Sequence, residues 1–303
     1  MRGSIRIAIG VSAVLACAAW GPAHAAPACD IGAAGQTRTV ALPGGSRSMA
    51  LHRPSGSVTG PLPLLVLLHG SGGTGAGILG HSALAGTADA RGFIVVAPDA
   101  GIPLDQGFAW HVPGVPTVTG EIPGRDAADD VAYLQRVMRW LTDAGCANAS
   151  RTYVAGLSGG GRMTSWLGCV ASTRIAAIAP VVGLRAGNPL ASNPARPDPA
   201  TCRPRLPMPV IAFAGALDDT NPIGGGGASY WQYDMHAAQR RWAQLNRCTA
   251  APTTEWAGTG TYVERYSGCR GNADVEAWVR VESGHSWVAD NEALWDFVSR
   301  YRR

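Results

Sequence analysis

The sequence predicts an α/β fold with a mostly parallel central sheet that is covered by helices on both faces. Continuous apolar runs, typical of strands buried on both faces, recur along the chain and are separated by stretches with helical periodicity. Strands and helices that alternate in this way form a parallel sheet, because each helix carries the chain back across one face. A third observation is a G-x-S-x-G sequence at 156–160, centred on Ser158, between a predicted strand and a predicted helix.

The predicted elements begin with a hairpin at the edge of the sheet. Apolar and polar side chains alternate at 37–42 and 48–52, on either side of Pro43-Gly44-Gly45, which is typical of two strands joined by a turn. Buried strands are predicted next at 62–68, 93–97, 151–155, 175–182, 208–214 and 275–281. Amphipathic helices are predicted at 126–144, 231–245 and 291–301, and a further helix begins directly after the G-x-S-x-G sequence.

Two long segments, 101–124 and 187–207, are rich in glycine or proline and are predicted to be irregular. In an open α/β sheet, ligands bind beyond the carboxyl ends of the strands. The first segment follows a predicted strand and is therefore well placed to line a binding site. The second segment is interpreted as a surface loop that Cys202 anchors.

Residues 1–25 are predicted to be an export signal. A basic start is followed by an apolar run at 7–20 and then by Ala23-His24-Ala25, which has the small side chains of a cleavage site. An alternative interpretation is a lipid attached at Cys17. We expect the mature chain to be a single catalytic domain at 26–303, secreted or periplasmic, without a stable membrane association.

The cysteines indicate a disulfide framework. Loss of the signal removes Cys17 from the 7 cysteines and leaves an even number, which indicates disulfide bonds in an exported chain. Sequence separation favours the pairs Cys169–Cys202, Cys248–Cys269 and Cys29–Cys146, with other pairings left open.

The charged residues exclude several functions. The formal net charge of +4 falls to about +2 without Arg2 and Arg6, so we expect no nucleic-acid partner. The chain contains no lysine, which excludes Schiff-base chemistry and the lysine-dependent phosphate-binding loop. None of the cysteines has the spacing of zinc ligands, and we expect neither a metal nor an organic cofactor.

The G-x-S-x-G sequence is interpreted as a nucleophile elbow. In such an elbow the turn from strand to helix is so sharp that positions two residues from the nucleophile need very small side chains. Here these positions are Gly156 and Gly160. A serine hydroxyl is a weak nucleophile and needs a basic histidine, which an acid in turn orients. In this kind of elbow the order along the chain is nucleophile, acid, histidine.

Two histidines follow Ser158. His236 lies in a helix-like stretch, whereas His285 lies in a turn between a predicted strand and the last helix, where a positioned imidazole is expected. Acyl transfer also needs hydrogen-bond donors for the oxygen that becomes negative. We expect these oxyanion-hole donors to be the backbone amides of Gly159 and Ser71, the second from a glycine-rich loop after a buried strand.

The acid is expected after the strand at 208–214. Both Asp218 and Asp219 occur there, and position favours Asp218 without excluding Asp219. The Asp129-Asp130 pair and His69 come before the nucleophile in the chain, and we interpret them as structural residues.

Four short sequences carry a resemblance to a known family: His69-Gly70-Ser71-Gly72, residues 156–160, Gly215-Ala216-Leu217-Asp218 and Gly284-His285-Ser286-Trp287. With them the chain resembles, over about residues 61–295, the secreted α/β-hydrolase esterases that include polyhydroxybutyrate depolymerases, feruloyl esterases and acetylxylan esterases. The resemblance implies an α/β-hydrolase fold with Ser158, Asp218 and His285 as the catalytic triad. It also implies that Trp110 lines the acyl site and that Trp287 lies beside the catalytic histidine.

The resemblance further implies a serine carboxylesterase. Its substrates would be feruloyl or acetyl esters of plant polysaccharide, or hydroxyalkanoate polyesters and oligomers. One alternative is a peptidase or acyltransferase that uses the same three residues. Another is a non-catalytic protein that keeps the fold and binds carbohydrate or a surface.

Overall fold

The computed structural model describes residues 1, 3–4, 29–57 and 60–303, and these contain one large sheet and two small ones. The strands are β1 (Thr37–Ala41), β2 (Ser48–His52), β3 (Leu62–Leu68), β4 (Ile94–Pro98), β5 (Ile102–Pro103), β6 (Phe108–Ala109), β7 (Ala147–Leu157), β8 (Ala177–Val181), β9 (Pro189–Leu190), β10 (Asn193–Pro197), β11 (Val210–Gly215), β12 (Thr253–Trp256), β13 (Thr261–Tyr266) and β14 (Val275–Arg280). The helices are α1 (Gly75–Ser82), α2 (Leu84–Arg91), α3 (Asp130–Asp143), α4 (Gly159–Val170), α5 (Met235–Leu245) and α6 (Asn291–Val298), with a short 3₁₀ helix at Arg270–Asn272.

The large sheet has the strand order β1-β2-β4-β3-β7-β8-β11-β14-β13-β12. The central strands from β4 to β14 are parallel, and antiparallel strands flank them on both sides. The predicted mostly parallel sheet is therefore confirmed. Because parallel strands point the same way, the loops after β3, β7, β11 and β14 leave the sheet at the same edge.

Helices cover both faces of the sheet, as predicted. On one face the apolar side chains of α3, α4 and α5 pack on the sheet, including Leu134, Leu167 and Trp242. On the other face α1, α2 and α6 do the same, including Leu84 and Leu294. Both layers exclude water from the sheet, which accounts for the continuously apolar sequence of its central strands.

Every predicted strand and helix is present, with bounds that differ by a few residues. The helices α1 and α2 escape prediction because the glycines and other small residues at 75–91 weaken the apolar periodicity. The strands β12 and β13 also escape it. All four side chains of the edge strand β12 are exposed, so its sequence lacks the alternation that marks a half-buried strand.

The two long segments predicted to be irregular each contain a short hairpin, so this prediction is wrong in part. The strands β5 and β6 pair within 101–124, and β9 pairs with β10 within 187–207. The side chains of β10 are almost all exposed, and no apolar alternation signals the strand in the sequence.

The disulfide pairing favoured by sequence separation is confirmed as Cys29–Cys146, Cys169–Cys202 and Cys248–Cys269. The second of these ties α4 to the chain that follows β10. The predicted export signal lies almost entirely outside the described residues. In the described part of the chain, no helix has the length and apolar character needed to cross a membrane.

Candidate active site

Ser158 occupies the sharp turn between β7 and α4. Its backbone has φ 53° and ψ −112°, a strained conformation for a residue with a side chain. Gly156 and Gly160 are needed for the sharp turn and also because neighbouring backbone atoms leave no room for a side chain. A Cβ on Gly160 would lie 2.4 Å from the carbonyl oxygen of Leu68, and one on Gly156 would lie 2.5 Å from the carbonyl oxygen of Gly160. The strand, turn and helix therefore have the geometry of a nucleophile elbow.

The structure brings Ser158 together with His285 and Asp218, and we call these three residues the Ser–His–Asp array. The Nε2 atom of His285 lies 2.8 Å from the Ser158 Oγ atom. The Nδ1 atom of the same ring lies 2.9 Å from one carboxylate oxygen of Asp218 and 3.0 Å from the other. The three residues follow β7, β14 and β11 respectively, and so meet at one edge of the parallel sheet.

Asp218 is buried and held by the chain that follows it. Its Oδ1 atom accepts hydrogen bonds from the backbone amides of Thr220, at 2.9 Å, and Asn221, at 2.8 Å. The side chain of Asn221 donates to the carbonyl oxygen of Val182 at 2.6 Å, which fixes this loop against the end of β8. Asp219 is exposed and makes no contact of this kind. Of the two candidate acids, Asp218 is therefore the one that contacts the histidine.

The environment of Asp218 favours the charged carboxylate. Burial by itself raises the pKa of this group, but the hydrogen bond from His285 and the amides of Asn221 and Thr220 bring the pKa below its ordinary value. A charged Asp218 accepts a hydrogen bond from the Nδ1–H group of His285. The Nε2 atom of the same ring then keeps its lone pair for the hydroxyl of Ser158. The array can thus remove a proton from the serine.

The predicted oxyanion amides lie close to each other. A Cβ on Gly159 would stand 3.1 Å from the backbone nitrogen of Ser71, so the two amides border the same small space. Gly70, in the same loop as Ser71, approaches Ser158 closely enough that its Cβ would lie 3.5 Å from the serine Cβ. Neither the Ser71 nor the Gly159 amide donates to another group in the described part of the chain. Both are therefore free to donate to a substrate oxygen.

His69 fixes the loop that follows β3 and contains Ser71, which we call the Ser71 loop. The Nδ1 atom of His69 donates to the Gly70 carbonyl at 2.7 Å, and its Nε2 atom accepts from the Ala100 amide at 3.0 Å. Burial lowers the pKa of His69 and keeps the ring neutral, which these two hydrogen bonds require. The predicted structural role of His69 agrees with this geometry.

The two predicted substrate-binding tryptophans differ in position. Trp110 is only 4% exposed, its indole donates to the His69 carbonyl at 2.8 Å, and its ring lies 5.0 Å from the His69 ring. It supports the Ser71 loop, and a role as a wall of the acyl site stays a prediction. Trp287 lies two residues after His285, half-buried, and its indole donates to Asn291 at 2.9 Å.

Sequence reasoning missed Arg162 and Asn221. Asn221 holds the loop of Asp218, and a polar side chain in a loop gives no signal of such a bond. Arg162 follows the elbow by one helical turn, where an arginine ordinarily faces solvent, yet it is buried beside Gly159. Tertiary packing, which the local sequence does not encode, accounts for both.

Comparison with known proteins shows that the chain is similar in sequence to proteins named as esterases. It is 30% identical over 245 residues to feruloyl esterase B of Piromyces equi, an alignment that covers 79% of this chain and 42% of that protein. It is 32% identical over 197 residues to the poly(3-hydroxybutyrate) depolymerase of Ralstonia pickettii, covering 61% of this chain and 38% of that protein. The chain thus spans less than half the length of these two relatives. No protein-family model matches the chain.

Solved structures identify the fold. The acetyl xylan esterase from Aspergillus awamori superimposes with a TM-score of 0.61 at 16% identity, covering 87% of this chain and 99% of that one. A likeness at this identity concerns the fold alone, and the fold is that of the α/β hydrolases. The α/β-hydrolase fold and the resemblance to feruloyl esterases and polyhydroxybutyrate depolymerases are both confirmed.

We predict that Gly160→Ala lowers the free energy of unfolding by about 2–3 kcal/mol, because the new Cβ meets the Leu68 carbonyl and must push α4 away from β3. Gly86→Ala is the matched control, since Gly86 lies in α2 with open space around its Cβ position. That change should raise the free energy of unfolding by about 0.5–1 kcal/mol. Urea unfolding of both variants measures the difference, and equal effects would contradict the close approach.

We predict that the stabilising effect of the Asp218 carboxylate disappears in acid. Its folded pKa lies below the ordinary value of 3.8, so ionisation adds stability that is complete above that value and is lost as the pH falls through the folded pKa. The difference in unfolding free energy between the natural chain and Asp218→Asn should therefore shrink between about pH 6 and about pH 3. Urea unfolding at both pH values tests this, with the exposed Asp219→Asn as control. A difference that stays constant or grows in acid would refute it.

Proposed function

We propose that the chain is a serine hydrolase of carboxylic esters. The observation that carries this proposal is the hydrogen-bonded Ser–His–Asp array at an elbow of an α/β-hydrolase fold, beside two backbone amides that have no acceptor among the described residues. Relatives named as a feruloyl esterase and a polyhydroxybutyrate depolymerase support the reaction class.

In the proposed mechanism the Ser158 hydroxyl attacks the ester carbonyl while the Nε2 atom of His285 takes its proton. The negative charge of Asp218 stabilises the imidazolium that forms and keeps the ring oriented. The amides of Ser71 and Gly159 donate to the carbonyl oxygen as it becomes negative. The imidazolium then protonates the leaving alcohol, and a water activated by His285 releases the acyl group from the serine.

We propose two candidate substrate classes, named from the relatives. The first is feruloyl or acetyl esters of polysaccharide, and the second is hydroxyalkanoate polyesters or their oligomers. Neither class requires a cofactor in this mechanism. We also propose that the chain is exported and that its catalytic unit is a single domain. The three disulfides support export, because such bonds persist in oxidising compartments.

Ser158→Ala should reduce hydrolysis of p-nitrophenyl acetate by about ten-thousand-fold or more, because no other group in the array can form the acyl intermediate. The control is His236→Ala, which removes a half-buried histidine paired with Glu264 at 3.0 Å on another part of the surface. That variant should keep the activity of the natural chain. A Ser158→Ala protein that hydrolyses the ester at the natural rate would contradict the assignment.

A fluorophosphonate probe separates an enzyme from a binding protein. We expect it to label the natural chain at Ser158 and to leave Ser158→Ala unlabelled, since the probe reacts only with an activated serine. A substrate panel of methyl ferulate, acetylated xylan, hydroxybutyrate oligomers and casein then defines the class. Hydrolysis of at least one ester without cleavage of casein is expected, and the opposite pattern would favour a peptidase.

A further inference from the structure

Arg162 is buried beside the proposed oxyanion amides. It lies one helical turn after Ser158 on α4, and helical side chains point back toward the helix N-terminus. Its Nη2 atom lies 3.4 Å from the position that a Cβ on Gly159 would take. The residue is 6% exposed, and its Nη1 atom has no hydrogen-bond partner among the described residues. A cationic donor without a partner therefore stands at the edge of the site.

A second buried arginine lies nearby. Arg185 follows β8 and is 7% exposed. Its guanidinium stacks on the rings of Trp231, at 3.6 Å, and Tyr233, at 4.0 Å, and its Nη1 atom donates to the Tyr233 carbonyl. Its Nη2 atom is buried without a hydrogen-bond partner in the described part of the chain. Each guanidinium group thus has a fully buried donor atom that has no acceptor among the described residues.

Both arginines line one narrow cleft. Its cavity volume is about 20 Å³, which admits a single small polar group, and its walls come mainly from the two long loops and from α4. The other lining residues are apolar, aromatic or amide side chains together with one glycine: Val112, Val115, Trp166, Gly187, Asn188, Pro189 and Tyr230. Within this lining the arginines supply the only charge.

The two arginines give the cleft a buried positive charge. Buried charges are ordinarily paired, because an unpaired one loses its hydration without compensation. Neither arginine forms an ion pair with a carboxylate of the described residues, and Asp234, whose charge acts on Arg185, instead caps α5 and lies 3.7 Å from Arg240. Burial lowers the pKa of Arg162 and of Arg185 to about 10, so both remain cationic at neutral pH.

Aromatic stacking explains only part of this arrangement. The Arg162 guanidinium lies 4.0 Å from the centre of the Tyr230 ring, and such contacts stabilise a buried cation. They do not satisfy the in-plane N–H groups, which match the two oxygens of a carboxylate.

We propose that this cleft is an anion subsite in which Arg162 and Arg185 bind a carboxylate carried by the ester substrate. The proposal rests on the proposed esterase function and narrows its substrate to esters with a free carboxylate on the acyl or the alcohol side. An oligomer of hydroxyalkanoate has such a carboxylate at its chain end. Arg162 lies in the first turn of α4 and reaches the Gly159 position, so a substrate held at Ser158 would extend its carboxylate toward Arg162.

The test compares esters that differ only in the carboxylate. For the acyl side, monomethyl glutarate is compared with methyl 5-methylhexanoate, in which an isopropyl group replaces the carboxylate. For the alcohol side, 4-acetoxybutanoate is compared with 4-methylpentyl acetate. We expect the natural chain to show a kcat/KM about tenfold or more higher for the anionic member of one pair, as expected for charge-assisted hydrogen bonds. Which pair responds identifies the side that carries the charge.

Arg162→Met should bring this ratio close to one, because methionine fills part of the space without the charge. Arg174→Met is the matched control, since Arg174 is exposed beyond the end of α4 and its loss changes the net charge equally. The control should keep the ratio of the natural chain. The ratio compares kcat/KM for the anionic ester with kcat/KM for the neutral ester on the same protein. A general loss of stability or of activity lowers both values and leaves the ratio unchanged.

If Arg162→Met does not fold, the four esters still test the anion subsite with the natural chain alone. Hydrolysis of the neutral esters without a preference for either anionic ester would overturn the anion subsite and leave the esterase function intact. No hydrolysis of any of the four esters, together with no fluorophosphonate labelling, would overturn the esterase function itself. An unchanged ratio in Arg162→Met would remove Arg162 from the subsite.

Discussion

The site depends on the close approach of the first turn of α4 to the ends of β3 and β8. A Cβ on Gly160 would lie 2.4 Å from the Leu68 carbonyl, and one on Gly161 would lie 2.8 Å from the Val181 carbonyl. With glycine at both positions, the helix sits directly on the strand ends, and the Gly159 amide comes within reach of the Ser71 loop. Larger side chains would lift the helix and separate the groups that the proposed mechanism needs at one carbonyl. Close backbone packing therefore sets the distance between the Gly159 amide and the Ser71 loop.

The buried polar groups of the site fall into two kinds. His69 and Asp218 have partners for their polar atoms within the chain, and each is held in one protonation state and one orientation. The amides of Ser71 and Gly159 and the guanidinium of Arg162 keep donors that have no acceptor among the residues that the structure describes. Groups of the first kind position the site, and groups of the second kind remain available to a ligand. Buried donors are ordinarily paired, because an unpaired buried donor costs free energy. Donors that lack a partner are therefore the ones that a ligand can satisfy.

Much of this arrangement is predictable from local sequence. The apolar runs predict the central strands, and the order of Ser158, Asp218 and His285 along the chain predicts residues that the structure brings into contact. Sequence separation also predicts the disulfide pairs. The helices α1 and α2 and the edge strand β12 carry too little periodicity to be recognised. Arg162 and Arg185 could not be predicted, because their burial arises where two distant loops meet a helix.

The bond between Cys169 and Cys202 joins the last turn of α4, the helix that follows Ser158, to the segment that follows the β9–β10 hairpin. A Cβ on Gly187, at one wall of the cleft, would lie 3.1 Å from the Cβ of Cys202, so the same covalent link braces that wall. A chain whose thiols are reduced lacks this covalent link, although it contains the same serine, histidine and aspartate. The shape of this wall therefore depends on a bond that persists only under oxidising conditions.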